Sequence, residues 1–206
     1  MKICYFIINK ALFFKKYDII KGMNYQDYIW DLGGTTAAFV HTLQDFGLTG
    51  SHDEVYKALK VSTDYAVRQF APGNKEFLKA YKANEAKELE HPILFEGASE
   101  LLAQIIQQGG RNFLISHRDD QVLEILQKTQ ISGYFTEVVT AANGFKRKPD
   151  PESMLYLKDK YQIESGLVIG DRPIDIEAGQ AAGFSCYLFD NMKNLEEFVD
   201  IELEKE

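Results

Sequence analysis

Five residues able to handle a phosphate and a divalent cation stand beside apolar runs: Asp31, Ser116, Lys148, Asp171 and Asp175. Asp31 closes Tyr28-Ile29-Trp30 and opens a Gly33-Gly34-Thr35 turn. Ser116, followed by His117 and Arg118, closes Phe113-Leu114-Ile115. Asp171 follows Leu167-Val168-Ile169-Gly170, with Asp175 four residues on, and Lys148 lies in the Lys148-Pro149-Asp150-Pro151 loop ahead of a helix. Three acids offer the hard oxygen donors that magnesium takes, while a hydroxyl and an ammonium suit phosphate oxygens. Each motif alone has a bland explanation: a strand-terminal aspartate caps a helix, Lys-Pro marks a turn, and Asp175 faces a helix dipole. Their order and joint placement at strand ends point instead to one site. Arg118 is a candidate for a second anionic group of the substrate, and Lys146 and Arg147 add positive field at its mouth. His41, His52 and His91 lack the partner spacing of a metal site.

The elements that must position these residues are legible from hydrophobic period. Short apolar runs at 28–30, 113–115, 138–139, 167–169 and 186–189 read as buried strands. Helical patterns separate the later ones, with Gly109-Gly110 and Gly183 as stops and Pro151 in a helical first turn. Residues 36–90 carry only helical patterns, broken at Gly47 to Gly50 and at Pro72-Gly73, so a small all-helical lobe is expected there. Alternating strands and helices predict an α/β fold, a doubly wound parallel sheet with ligands at the carboxyl ends of its strands. The expected division is an N-terminal extension over 1–22, a core of 23–35 and 92–206, and a helical insertion over 36–91. Trp30, directly before Asp31, is expected in the core.

Composition narrows the class. The chain has 206 residues, 45% hydrophobic and 26% charged, as an ordinary globular protein has, which excludes a disordered or collagenous chain. With 23 basic and 31 acidic residues the net charge is −8, which argues against a nucleic-acid partner. Cys4 and Cys186 form neither a disulfide framework nor a CxxC site, so a cytoplasmic location is expected. Residues 1–22 hold Lys2, Lys10, Lys15, Lys16 and Lys21 against Asp18, yet their uncharged run from Ile3 to Asn9 is far too short for a membrane span. The globular pattern begins after Met23, which favours Met23 as the natural start.

DLGGT at 31–35, LIS at 114–116, RKPDPE at 147–152 and VIGDRPIDIEAG at 168–179 together resemble the haloacid dehalogenase superfamily. The resemblance covers essentially all of residues 25–190 and is to its phosphoglycolate-phosphatase-like branch, with a helical cap inserted after the first strand. It implies a magnesium-dependent hydrolase, a phosphatase of a small phosphorylated metabolite working through an aspartyl-phosphate. By that resemblance Asp31 is the nucleophile and a metal ligand, Ser116 binds a phosphoryl oxygen, and Lys148 neutralises phosphate charge and holds the nucleophile; His117 and Arg118, beside Ser116, are candidate substrate-binding residues. Asp171 ligates magnesium, Asp175 supports it directly or through water, and Gly33 offers a backbone carbonyl to the metal. Lys57, Lys60 and Arg68 fall in the cap, where the family selects substrates.

Two departures stand out. The family's phosphatases carry a second aspartate two residues after the nucleophile as general acid and base, where this chain has Gly33. After Thr35 the chain goes straight to Thr36-Ala37-Ala38-Phe39, so part of the usual hinge is missing. Rival readings follow: a phosphonatase, for which Lys57 or Lys60 would have to form a Schiff base; a dehalogenase, against which Asp171 and Asp175 count; or a non-catalytic binder of phosphate and magnesium. The oligomeric state is not legible from the sequence.

Overall fold

The missing period-2 pattern over residues 36–90 has its counterpart in four helices that follow the first strand, β1 (Asp27–Asp31), within that stretch. They are α1 (Thr36–Asp45), α2 (His52–Val61), α3 (Thr63–Phe70) and α4 (Phe77–Glu88). This computed structural model describes residues 25–32 and 36–199, so the expected extension over 1–22 and the turn containing Gly33 lie outside it. Among the described residues two units form, one of 36–93 and one of 25–32 with 94–199.

In the helical unit, Phe39 lies edge-on to Phe77 at 5.0 Å and to Tyr81 at 5.1 Å, within a buried cluster that includes Leu43, Val55 and Ala66. Asn84 Nδ2 donates to Thr42 Oγ1 (3.0 Å) and Asp45 Oδ2 (2.8 Å), tying α4 to α1. One break was not anticipated between Gly50 and Pro72. Ser62 adopts an extended conformation that ends α2, and its Oγ accepts the Tyr65 N–H at 3.0 Å, starting α3. A serine N-cap is a sequence signal, but the apolar positions on either side masked it.

The second unit holds the parallel sheet. Its other strands are β2 (Arg111–Ile115), β3 (Phe135–Val139), β4 (Gly166–Gly170) and β5 (Ser185–Leu188), and the order is β3-β2-β1-β4-β5 with every pairing parallel. Helices α5 (Ala98–Gln107), α6 (Gln121–Lys128), α7 (Glu152–Tyr161), α8 (Pro173–Ala181) and α9 (Met192–Val199) accompany it. The period of 2 sends alternate side chains to opposite layers. Ile29, Phe113, Ile115 and Val168 pack with Met154 and Leu157 of α7 and Ala178 of α8. Tyr28, Leu167 and Ile169 pack with Leu101 and Ile105 of α5 and Leu195 of α9, while Leu114 packs with Val122 and Leu126 of α6. Burial on both faces explains why the central strands β1, β2 and β4 read as continuous apolar runs. Helix α9, which the strand-by-strand reading did not reach, completes one of those layers. Among the described residues no helix is long and apolar enough to cross a membrane.

Asn112, fully buried in β2, anchors the residue before Asp31. Its Oδ1 accepts the Trp30 Nε1–H at 3.0 Å, and its Nδ2 donates to the Leu102 and Tyr134 carbonyls at 3.1 and 3.3 Å. Trp30 is half-buried, packed against the core clusters rather than sealed within them. Replacing this amide by an isosteric apolar group orphans one donor and two acceptors. Asn112→Leu should therefore lower stability by about 2 kcal/mol in urea unfolding, whereas a loss under about 0.5 kcal/mol would show that those groups find other partners.

Candidate active site

Strand order reverses at β1, which has β2 on one side and β4 on the other. In an open parallel sheet, that switch point opens a crevice at the carboxyl edge. Asp31 is the last residue of β1, Ser116 directly follows β2, and Asp171 directly follows β4. The sheet therefore delivers three side chains to one edge from three separated stretches of sequence.

Lys148 reaches the same point from the loop before α7. Its Nζ lies 2.6 Å from Asp31 Oδ1 and 2.5 Å from Asp175 Oδ1, with the Ile115 carbonyl at 3.5 Å. The ammonium and both carboxylates are almost wholly out of solvent. Asp175 sits in the first turn of α8, where its Oδ2 accepts the Arg172 N–H at 3.0 Å. One Asp175 oxygen thus serves the start of α8 and the other meets Lys148. Gly170 makes this possible: a Cβ there would stand 2.3 Å from the Asp175 Cβ. Ser116 is buried, its Oγ donating to the Leu32 carbonyl at 3.5 Å and accepting the Arg118 N–H at 3.2 Å.

The charges polarise one another. Burial pushes the Asp31 carboxyl up, but Lys148 and then Arg172 outweigh it and hold the group below the usual carboxylate range. Asp175 is pushed up, by burial first and then by the Asp31 charge. Oxygens of Asp31, Asp171 and Asp175 lie within 4.8 Å of one another. Among the described residues no hydrogen-bond donor meets the buried Asp31 Oδ2. Hard oxygen donors so clustered, one of them unsatisfied, fit a small divalent cation.

Asp31, Ser116, Lys148, Asp171 and Asp175 are therefore gathered at the sheet edge, and Gly33 lies outside the described residues. His117 and Arg118 are half-buried beside Ser116. Lys146 pairs with Asp150 at the surface (3.5 Å), while Arg147 donates to the His117 carbonyl at 3.2 Å. In the helical unit Lys57 is exposed and Lys60 lies over the Tyr56 ring at 4.7 Å, settings unlike the desolvated pocket that a Schiff-base lysine needs. Arg172 was not singled out from the sequence, although a cation between two candidate acids in GDRPID was the available signal.

The model of the haloacid dehalogenase-like hydrolases matches residues 32–189, and the chain belongs to that family. A hydrolase of known crystal structure from Streptococcus pneumoniae TIGR4 is 66% identical, with a TM-score of 0.72 over 87% of this chain and 100% of that one. A superfamily hydrolase from Geobacter sulfurreducens PCA, 19% identical, shares the fold with a TM-score of 0.64 over 87% of this chain and 99% of its own. Phosphoglycolate phosphatases from Aliivibrio fischeri and Vibrio parahaemolyticus are 32% identical over 99 residues and 27% identical over 134. Those alignments cover 47% and 64% of this chain and 43% and 58% of the relatives, so the chain spans about half the length of the curated relatives it matches.

His117 is engaged in a way the sequence did not reveal. Its Nε2 accepts the Lys148 backbone N–H at 2.9 Å, so the ring hydrogen resides on Nδ1. With Arg147 on its carbonyl, His117 clasps the Ser116 turn to the Lys148 loop. Burial first, and then the Lys148 and Arg147 charges, pushes the imidazole down to about 4. An unfolded histidine titrates near ~6.5. Between those values the unfolded chain binds a proton that the folded chain refuses, so the site's contribution is complete above ~6.5 and is lost as pH falls toward 4. His117→Gln keeps an acceptor but does not titrate. Its melting temperature should fall less than the parent's between about pH 7 and pH 5; equal falls would show that His117 is not held neutral.

Proposed function

We propose that this protein is a cytoplasmic, magnesium-dependent phosphohydrolase acting on a small phosphorylated metabolite. The observation that supports this most directly is the buried Lys148 ammonium bridging Asp31 and Asp175, with Ser116 and Asp171 at the same sheet edge. The phosphoglycolate phosphatases among its relatives favour a small phosphorylated acid as substrate.

In this reading Asp31, kept anionic by Lys148 and Arg172, attacks phosphorus. An oxygen–phosphorus bond to Asp31 forms as the bond to the leaving alkoxide breaks, and water then hydrolyses the aspartyl-phosphate. Ser116 and Lys148 hold phosphoryl oxygens, so most of the acceleration is positioning and charge neutralisation. Asp31, Asp171 and Asp175, with the Gly33 carbonyl, would hold the magnesium ion, which neutralises charge on the transferring group. Residues 36–91, within the helical unit, would act as the cap that selects the substrate. Incubation with an activated aryl phosphate and magnesium should give turnover that a chelator abolishes. Asp31→Asn should remove it while leaving the melting temperature within a few degrees of the parent; activity within about tenfold of the parent would remove Asp31 from the nucleophile role.

Gly33 favours one second reading, a protein that binds phosphate and magnesium with little or no hydrolysis. Glycine has no proton to give a leaving alkoxide, and general acid–base help is typically worth about 10²–10⁴-fold. Gly33→Asp should accelerate alkyl phosphate hydrolysis most, and aryl or acyl phosphates least, since their leaving groups depart as stable anions. Rate measured against leaving-group pKa checks this. A folded variant with no gain on any alkyl phosphate would refute the missing-acid account.

A further inference from the structure

Arg172 stands where a magnesium ion and a phosphoryl group would also be drawn. Its Nη2 is 3.8 Å from Asp31 Oδ2, and its Nε is 3.9 Å from Asp171 Oδ1 and 3.8 Å from Asp175 Oδ2. These separations bring charge close without completing hydrogen bonds. The Nε–H is buried, and among the described residues no acceptor meets it in hydrogen-bond geometry. A buried guanidinium N–H without an acceptor is costly, as is a buried carboxylate oxygen without a donor. Among the described residues the crevice thus holds an unsatisfied donor at Arg172 Nε and an unsatisfied acceptor at Asp31 Oδ2, so it presents binding capacity of both signs.

We infer that Arg172 is a phosphoryl-binding residue that also opposes the metal, trading magnesium affinity for anion affinity. The inference rests on the reading of the site as a magnesium and phosphate centre. Among the described residues Lys148 pairs with Asp31 and Asp175, and Arg172 adds a second cation within 4 Å of both and of Asp171. The guanidinium therefore lowers the attraction for a divalent cation and raises that for a phosphate dianion. Its charge is permanent, whereas an ion can leave, so the crevice keeps a positive group facing the substrate at every stage. Its backbone N–H is already held by Asp175, which fixes where the side chain begins.

The test exploits the opposite signs. Magnesium alone is titrated calorimetrically into the parent and into Arg172→Gln. Inorganic phosphate is then titrated into each protein saturated with magnesium, followed by phosphorus NMR. Arg172→Gln should bind magnesium about tenfold more tightly and phosphate about tenfold more weakly. A merely structural role would move both affinities the same way, and that result, or a change under about twofold in either, overturns the proposal. Arg172→Lys keeps the charge without the Nε–H, so it should retain the parent's magnesium affinity while losing phosphate affinity; it carries the test if Arg172→Gln does not fold. If the parent itself binds no magnesium, the magnesium reading fails and this inference falls with it. If the parent binds both ions and the variants match it, only the role of Arg172 is refuted.

Discussion

A lysine ammonium with almost no solvent contact, held between two equally buried aspartates, is the constraint on which the rest of this site depends. Removing one ion from water costs several kcal/mol, and the cost is recovered only where opposite charges meet in good geometry. Lys148 meets that condition because its partners arrive from elements that cannot drift: Asp31 from the central strand, Asp175 from the first turn of α8. Gly170 clears the space for Asp175, and the Arg172 N–H takes the oxygen that Lys148 leaves. The Lys148 loop is fastened from the other side by His117, whose neutral ring accepts a backbone N–H. Several weak links thereby fix one expensive group.

The same arrangement separates the behaviour of two neighbouring carboxyls. Asp31 and Asp175 share a lysine, yet their charges respond in opposite directions, Asp31 down and Asp175 up. For Asp31 the Lys148 and Arg172 charges outweigh burial, whereas for Asp175 burial and the Asp31 charge outweigh the same two cations. A chemically ordinary pair thus acquires one member held charged and one that anchors both Lys148 and the Arg172 N–H. This asymmetry supports giving Asp31 the nucleophilic part in the proposed reaction and Asp175 the holding part.

What the amino-acid sequence determined by itself was the architecture and which polar residues stand at one edge of the sheet. Apolar runs of strand length, punctuated by Gly and Pro, specify a parallel α/β sheet because strands buried on both faces leave no other pattern. The polar residues ending those runs must meet at one edge, so Asp31, Ser116 and Asp171 were legible before any coordinates. Local signals of comparable strength were less visible where they competed with apolar period, as at Ser62, or followed the last strand, as in α9.

Only the tertiary structure decided how those residues divide the work. Sequence carries no distance between positions 31, 148 and 175, so the shared ammonium could not be read from it. Nor could the engagement of His117 with the Lys148 backbone, the closeness of Arg172 to three acids, or the need for glycine at 170. Each depends on separations of a few ångströms between segments far apart in the chain. Electrostatic and hydrogen-bond energies change steeply over such distances, whereas the hydrophobic pattern that selects the fold tolerates them.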